Sequence, residues 1–321
     1  MQFEFSGQFH QPVRGQDGDV PGSMMRVLLF GAGAMSCHFG ARLAQAADVT
    51  LVDTWKEGID AIREKGILLE DSGGKRTARV RAEYLGAPLQ PFDLAFILVK
   101  SWQTSEISKF LPRYLAPGGI AVSLQNGLGN VEQLGAQAFP GSTAEGATLA
   151  GPGHVRAGGS GPTYMVAPGR VVDLMKTAGF EAYACDAKKA RSLLWGKLSV
   201  SCGINALTAL LRIRNGELLS RFSATVLMER AVAECAEVAR AAGVVLPFSN
   251  PVSHAKEVAE RTAANRSSML QDVLRGAPTE CDAINGAVVR EGLRLGVPTP
   301  VNEILLQLML AAVPQNRSDF G

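Results

Sequence analysis

The sequence has no excess of either charge, few aromatic residues and no long apolar run. Its 321 residues carry 32 basic and 30 acidic side chains, and only 6% are aromatic. A balanced charge gives no attraction to nucleic acids or anionic membrane surfaces, so we expect neither as a partner. No stretch of about 18 apolar residues runs unbroken, so we also expect no membrane span. The partner that we expect is a small molecule.

Cysteine is scarce as well. The five cysteines (Cys37, Cys185, Cys202, Cys235 and Cys281) include no close pair. Disulfide frameworks and metal sites need cysteines at short spacings, so we expect reduced thiols, a cytoplasmic location and no metal site. A signal peptide has an apolar run after a basic start, and residues 1–24 lack this pattern, so we do not expect one there. The Met24-Met25 pair indicates that the folded unit begins there, after a disordered or expression-derived tail at 1–24.

A glycine-rich turn follows the first strand pattern. Residues 26–30 read Arg-Val-Leu-Leu-Phe and lead into Gly31-Ala32-Gly33-Ala34-Met35-Ser36. A buried strand, a glycine turn and then a helix, predicted over 37–46, are typical of the start of a dinucleotide-binding unit. Gly31 would permit the sharp turn, and Gly33 would let a pyrophosphate approach the positive end of the helix. Residues Gly31 to Met35 are therefore predicted to bind a cofactor.

A carboxylate stands at the end of the next predicted strand. Asp53 closes the segment 48–53 and lies 22 residues after Gly31. An acid at about this distance accepts hydrogen bonds from ribose hydroxyls in dinucleotide folds. The alternative, a glycine-rich turn without a ligand, is less favoured once both features are present.

Two later apolar strands also run into polar residues. Residues 92–99 are followed by Lys100, and residues 120–124 by Gln125-Asn126-Gly127. Ligands bind at the carboxyl ends of strands in such sheets, so Lys100 and Asn126 are predicted to contact cofactor or substrate. Each also has a plain interpretation, as a solvated strand end and as an ordinary turn.

The pattern changes after Lys188. Strand signals almost vanish, and helices are predicted over 189–211, 217–242, 252–260 and 281–295. We therefore predict an α/β protein, with an N-terminal Rossmann-like, doubly wound domain at 25–188. An all-helical C-terminal domain at 189–321 would supply substrate-binding and catalytic groups.

The first of these helices carries one polar stripe. Lys197, Ser201 and Asn205 fall at i, i+4 and i+8 on a helix that is otherwise apolar. Burial would lower the pKa of Lys197 toward neutrality, which suits proton donation. A stripe that faces solvent is the alternative. Glu280 stands at a predicted helix start, where the helix dipole alone would explain it.

Together these motifs resemble the ketopantoate reductase family over roughly residues 25–310. The resemblance rests on Gly31-Ala-Gly-Ala, Val99-Lys100-Ser-Trp-Gln, Gln125-Asn126-Gly-Leu-Gly, Trp195-Gly-Lys197 with Ile204-Asn205-Ala-Leu-Thr, Ser267-Ser-Met-Leu-Gln-Asp with Thr279-Glu280, and Ile284-Asn285-Gly286 with Gly296-Val-Pro-Thr-Pro-Val-Asn302. It implies NADPH-dependent reduction of 2-dehydropantoate to (R)-pantoate, a step of pantothenate (vitamin B5) biosynthesis.

The resemblance also implies roles for individual residues. Lys197 would be the general acid, and Glu280 would contact the substrate and help to hold the active arrangement. Lys100 and Asn126 would lie against the nicotinamide end of the cofactor. The substrate-binding residues that it implies are Asn126, Ser201, Asn205, Asn265 and Ser268.

Two departures from the family pattern keep alternatives open. Ser201 stands where the family usually has Asn, and Asp53 where it usually has a basic residue for a 2′-phosphate. Asp53 favours NADH, whereas the family norm is NADPH. An NAD-dependent D-2-hydroxyacid dehydrogenase on the same scaffold is one alternative function, and a non-catalytic dinucleotide-sensing protein is another. The apolar helical half is compatible with a homodimer.

Overall fold

The computed structural model describes residues 24–313 and divides them into two compact units. The first unit consists of residues 24–99, 105–124 and 133–190, and the second of residues 100–104, 125–132 and 191–313. The tail predicted at 1–24 lies outside the described residues except for Met24.

The first unit is built on two β-sheets. Its strands are β1 Arg26–Phe30, β2 Asp48–Asp53, β3 Ile67–Asp71, β4 Gly74–Ala78, β5 Arg81–Tyr84, β6 Phe92–Ile97, β7 Leu115–Ser123, β8 Ala138–Thr143, β9 Gly146–Gly151, β10 His154–Gly159, β11 Thr163–Met165 and β12 Ala182–Ala184. The helices in this part of the chain are α1 Ala34–Leu43, α2 Lys56–Lys65, α3 Thr104–Tyr114, α4 Asn130–Leu134 and α5 Gly169–Thr177.

The larger sheet has the doubly wound topology. Its eight strands lie in the order β12-β11-β8-β7-β6-β1-β2-β5, and only the β8–β11 pair is antiparallel. β1 lies between β2 and β6, so that Phe30 is paired with Val52 on one side and Ile97 on the other. The strand order reverses at this point, and ligands of such sheets bind outside the carboxyl ends there. The predicted Rossmann-like α/β class is confirmed. The smaller sheet has the order β4-β3-β10-β9.

Aromatic packing fixes α1 against the large sheet. Phe39 of α1 stacks on Phe180 with 4.6 Å between ring centroids, and it meets Phe96 of β6 edge-on at 6.0 Å. All three rings are buried. Such pairs contribute about 0.5–1.5 kcal/mol each beyond the area that they bury. The start of α1 is therefore held close to the end of β1, where the glycine turn lies.

Two element boundaries in this unit differ from the predictions. The helix after the glycine turn begins at Ala34 rather than at residue 37. β7 begins at Leu115 and runs through Pro117-Gly118-Gly119, which the sequence predicts as a break before a strand at 120. A register shift against β6 occurs in the same place, and this irregularity accommodates a proline and two glycines within the strand.

The second unit is helical. Its helices are α6 Ala187–Leu211, α7 Phe222–Ala241, α8 Pro251–Arg261, α9 Ser268–Leu274, α10 Ala287–Leu295 and α11 Pro300–Ala312, with 3-10 helices at Ser101–Gln103 and Asn215–Leu218 and a π-helical turn at Asp282–Gly286. The predicted helical C-terminal region is confirmed. The sequence did not predict α9, which has only 7 residues, or α11, which is apolar on several sides.

The core of the second unit forms where α6 and α7 pack together. Cys202 of α6 and Met228, Cys235 and Val238 of α7 have no exposed surface. All five cysteines lie within the described residues and are free thiols. Among those residues α6 is the one helix long and apolar enough to cross a membrane, but 61% of its most apolar window is buried in the structure, and core helices of soluble proteins meet the same criterion.

Candidate active site

The glycine turn in the first unit has the geometry of an anion-binding helix start. Gly31 has a φ of +116°, which a residue with a side chain rarely adopts. A Cβ added at Gly33 would meet no atom within 4 Å, so the space beside this backbone is open. Gly33 is also the N-cap of α1, and no side chain caps the N–H groups there. These groups and the helix dipole suit a pyrophosphate.

Asp53 is turned toward the backbone around this turn. Its Oδ2 accepts the N–H of Ala32 at 2.5 Å, and its Oδ1 accepts the N–H groups of Thr54 at 2.6 Å and Trp55 at 3.1 Å. The carboxylate is buried. Asp53 therefore ties the end of β2 to the glycine turn, a structural task that the spacing argument did not predict.

A group of charged side chains gathers in the second unit. The Lys100 ammonium lies 2.6 Å from Oδ2 of Asp272 and 3.4 Å from Oε2 of Glu280. Both carboxylates are buried, and Arg275 pairs with the other oxygen of Asp272 at 2.7 Å. Burial alone lowers the pKa of Lys100, but the charges of Glu280 and Asp272 outweigh it and the pKa is raised.

Glu280 is the acceptor at the centre of this group. Besides Lys100, its carboxylate accepts the N–H of Ser101 at 3.1 Å and Nδ2 of Asn126 at 3.0 Å. Donors from segments 100–104 and 125–132 thus converge on one buried carboxylate. This explains why these two segments, both predicted within the first domain, fall in the second unit.

The segment that carries Asn126 is fixed on both sides. Leu128 donates its N–H to the carbonyl of Ala283 at 3.2 Å. Gly127 has a φ of +82°, and a Cβ there would lie 2.1 Å from the same carbonyl oxygen, so only glycine fits. Nδ2 of Asn130 donates to the carbonyl of Asn126 at 2.9 Å. The Asn126 amide is held toward Glu280 as a result.

Lys197 projects from α6 within reach of the electrostatic field of Glu280. The side chain is partly buried. Burial lowers the pKa of Lys197 below its ordinary value, and the negative charge of Glu280 opposes this shift only in part. The direction of this pKa shift agrees with the sequence prediction, and the partly buried Lys197 does not belong to a stripe that faces bulk solvent; its role as proton donor stays a prediction.

The predicted substrate-binding residues are less closely gathered. Ser201 and Asn205 lie on α6 with Lys197 and are partly buried. Asn265 is exposed just before α9, and Ser268 is the first residue of that helix. In the part of the chain that the structure describes, no hydrogen bond joins the side chains of Asn265 or Ser268 to the charged group around Glu280. Their role in substrate binding stays a prediction.

One polar residue of the site, Asp272, was missing from the predicted site residues. Asp272 holds Lys100, although only its place in the motif 267–272 singled it out. Thr208 of α6 donates to Oγ of Ser267 at 2.7 Å, and Ser267 caps α9 by accepting the N–H of Leu270 at 3.1 Å. The sequence did contain a signal for Asp272, because it stands four places after Ser268 and residues at i and i+4 share one face of a helix.

The fold and these groups define a class of protein. A doubly wound sheet with a glycine turn at a helix start is typical of dinucleotide-binding proteins, and a partly buried lysine with a lowered pKa can supply a proton. These features together belong to oxidoreductases that use a nicotinamide cofactor.

Comparison with known families identifies this chain more closely. The family model described as "Ketopantoate reductase PanE/ApbA" matches residues 27–169, and the model for the C-terminal part of that family matches residues 189–312. A 2-dehydropantoate 2-reductase of Archaeoglobus fulgidus is 34% identical over 298 residues, which cover 89% of this chain and 97% of the relative. The chain belongs to the ketopantoate reductase family.

Solved structures agree. A PanE/ApbA family ketopantoate reductase from Ralstonia eutropha JMP134 is similar with a TM-score of 0.84 and 31% identity, over 90% of this chain and 98% of that one. A D-mandelate dehydrogenase in complex with NADH and anilino(oxo)acetate is similar with a TM-score of 0.83 and 26% identity, again over 90% and 98%. The predictions of the family and of an oxidoreductase that reduces a 2-ketoacid with a nicotinamide cofactor are confirmed.

Proposed function

We propose that this chain is a 2-dehydropantoate 2-reductase that forms (R)-pantoate. The observation that carries the proposal is the group of Lys197, Lys100 and Asn126 around the buried carboxylate of Glu280, on a scaffold whose relatives bear this name. Lys197, Glu280 and Asn126 each have a chemical task in reducing a ketone, and Lys100 pairs with Glu280.

Lys197 is the proton donor in this proposal. Its ammonium protonates the ketone oxygen as the adjacent carbon is reduced, and its lowered pKa makes this transfer easier. Glu280 keeps Lys197 charged before the reaction, because the carboxylate favours the ammonium form. The partly buried side chain regains its proton from solvent afterwards.

The remaining side chains bind and orient the substrate. Asn126 is held toward Glu280 and places an amide beside the reacting carbonyl. By the family pattern, Ser201, Asn205, Asn265 and Ser268 hold the hydroxyl and the carboxylate of the ketoacid. Positioning of this kind contributes as much to the rate as the proton does.

The residues of the first unit fit a dinucleotide. The backbone from Gly31 to Met35 would hold the pyrophosphate, because the space beside Gly33 is open and the start of α1 is uncapped. The bound cofactor supplies the hydride. Family members use NAD(P)H, and we propose a preference for NADH, because the buried negative charge of Asp53 beside the turn repels a 2′-phosphate.

A second candidate is an NAD-dependent D-2-hydroxyacid dehydrogenase. It is supported by the likeness to the D-mandelate dehydrogenase and by Asp53 and Ser201, which alter two selectivity positions and leave Lys197 and Glu280 in place. A third, a non-catalytic dinucleotide sensor, would need no proton donor and is therefore less favoured.

Steady-state kinetics separate the three. We would compare 2-dehydropantoate, 2-ketoisovalerate and phenylglyoxylate, each with NADH and with NADPH. The proposal predicts the highest kcat/KM for 2-dehydropantoate. A higher value for phenylglyoxylate would favour the dehydrogenase, and cofactor binding without oxidation by any ketoacid would favour the sensor.

We also propose that the protein is a cytoplasmic homodimer. Leu293 of α10 and Ile304 and Leu308 of α11 are large apolar side chains with exposed surface, and the last two lie one turn apart. Light scattering after size-exclusion chromatography would give twice the chain mass for a dimer and the single mass if the proposal is wrong.

A further inference from the structure

The turn that follows Glu280 is π-helical. Residues Asp282–Gly286 form this turn immediately before α10. A π turn contains more residues than an α turn, and such turns occur frequently at functional sites. Asn285 lies in this turn, and its side chain is completely buried.

Asn285 connects the π turn with the helix that carries Lys197. Its Nδ2 donates to the carbonyl of Cys202 on α6 and to Oδ1 of Asn302 on α11, both at 3.0 Å. Asn302 is also fully buried, and its Nδ2 donates to the carbonyl of Ala231 on α7 at 3.0 Å and to Glu234 at 2.8 Å. Two buried amides thus link the π turn, α6, α7 and α11.

The Asn285 amide is satisfied on its donor side only. Its Oδ1 is buried and has no hydrogen-bond partner among residues 24–313. An unsatisfied buried acceptor costs about 1–3 kcal/mol. A leucine of similar size would avoid this cost, but it would take away the donor to Oδ1 of Asn302 and to the carbonyl of Cys202. The amide differs from leucine in that it fixes the π turn against α6 in a single position.

Groups of the candidate active site lie on both sides of this link. Glu280 comes just before the π turn, and its carbonyl accepts the N–H of Ile284 at 3.1 Å. The carbonyl of Ala283 in the same turn holds the segment that carries Asn126. On α6, Cys202 lies about 7.5 Å along the axis from Lys197. A movement of the turn would therefore move Glu280 and Asn126 relative to Lys197.

We propose that Asn285 is a positioning residue that holds Glu280 at its working distance from Lys197. This role rests on the proposed function, but the placement of Glu280 relative to Lys197 can be tested without catalytic turnover. Among the charged groups of the site, Glu280 acts on Lys197, Lys100 pairs with Glu280 and with Asp272, and Asp272 also pairs with Arg275. Because Glu280 opposes the effect of burial, moving it away lowers the pKa of Lys197 further.

The test measures the titration of Lys197 directly. Lysines of the full-length protein are methylated with ¹³C-formaldehyde, and the resonance of Lys197 is identified by its loss in Lys197→Arg. We expect Asn285→Leu and the shorter Asn285→Ser to lower the titration midpoint by about 0.5 pH units or more. In the same variants kcat should fall about tenfold while KM for NADH stays within about twofold.

Asn250→Ala is the matched control. Asn250 caps α8 by accepting the N–H of Ser253 at 3.0 Å, and its removal costs about 1 kcal/mol of stability without touching the site. Its midpoint should equal that of the wild type. The serine variant decides the test if Asn285→Leu does not fold.

The possible results separate the two proposals. An unchanged midpoint in the Asn285 variants overturns the positioning role, whether or not 2-dehydropantoate is reduced. A lowered midpoint in a protein that reduces none of the three ketoacids supports the positioning role and refutes the proposed function.

Discussion

Replacing Asp53 by asparagine should destabilise the glycine turn rather than simply change cofactor preference. The carboxylate accepts the N–H of Ala32 with one oxygen and those of Thr54 and Trp55 with the other. An asparagine keeps one acceptor and presents an N–H₂ group to the remaining N–H. A hydrogen bond to a charged group contributes about 1.5–3 kcal/mol, and a buried N–H without a partner costs about 1–3 kcal/mol. We expect Asp53→Asn to lower the free energy of unfolding by about 2–4 kcal/mol.

The loss should affect both cofactors, because the turn that binds the pyrophosphate loses its tie to β2. Urea unfolding gives the stability change, and fluorescence titration gives Kd for NADH and NADPH. Asp48→Asn is the control, since Asp48 begins the same strand and its side chain is partly exposed. A stability within about 0.5 kcal/mol of the wild type, with only the ratio of the two Kd values changed, would refute this reasoning.

Three further predictions concern the second unit. The kcat of the wild type should fall on the alkaline side at a pH below the usual lysine pKa of about 10.4. The reason is that Lys197 must be protonated to act and that burial lowers its pKa. A pH profile of kcat that is flat to about pH 10.5 would contradict this prediction. Asp272→Asn should reduce kcat/KM and lower the free energy of unfolding by about 1–3 kcal/mol. The loss is smaller than for a fully buried ion pair, because Lys100 is 31% exposed. Calorimetry would measure the stability and steady-state kinetics the activity, and wild-type values in both would contradict the prediction. Gly127→Ala should abolish most activity, because its Cβ would clash with the carbonyl of Ala283. At Gly129 an added Cβ meets no atom within 4 Å, so Gly129→Ala should lose only about 1–2 kcal/mol of stability. Equal activities of the two variants would contradict the close contact at Gly127.

The sequence predicted the parts of the fold that depend on local pattern. β2 was predicted with its observed ends, because its buried residues form one continuous run between Asp48 and Asp53. The predicted break at Pro117 to Gly119 was wrong, because the strand conformation of this segment depends on pairing with β6 rather than on its own residues. Tertiary contacts override local propensity in such places.

The candidate site divides in the same way. Lys197 was singled out by helical spacing, and its lowered pKa agrees with the burial that this spacing implied. Glu280 looked like an ordinary helix-start carboxylate, and only its contacts with Lys100, Ser101 and Asn126 reveal its central position. These partners lie more than 150 positions away in the chain, so no local pattern could bring them together.

The function of Asp53 was predicted only in part. Spacing identified a carboxylate near the glycine turn. A rule based on ribose binding, however, does not predict that the Asp53 carboxylate accepts hydrogen bonds from backbone N–H groups. The side chain conformation decides between these tasks, and a sequence does not contain it.

Chemical rescue of Lys197→Ala tests most directly whether Lys197 is the proton donor. We expect kcat with 2-dehydropantoate to fall at least about 100-fold while Kd for NADH stays nearly unchanged, and added ethylamine to restore part of the lost rate. A variant that keeps the wild-type kcat, or one that loses activity only because it no longer binds NADH, would contradict the role assigned to this residue.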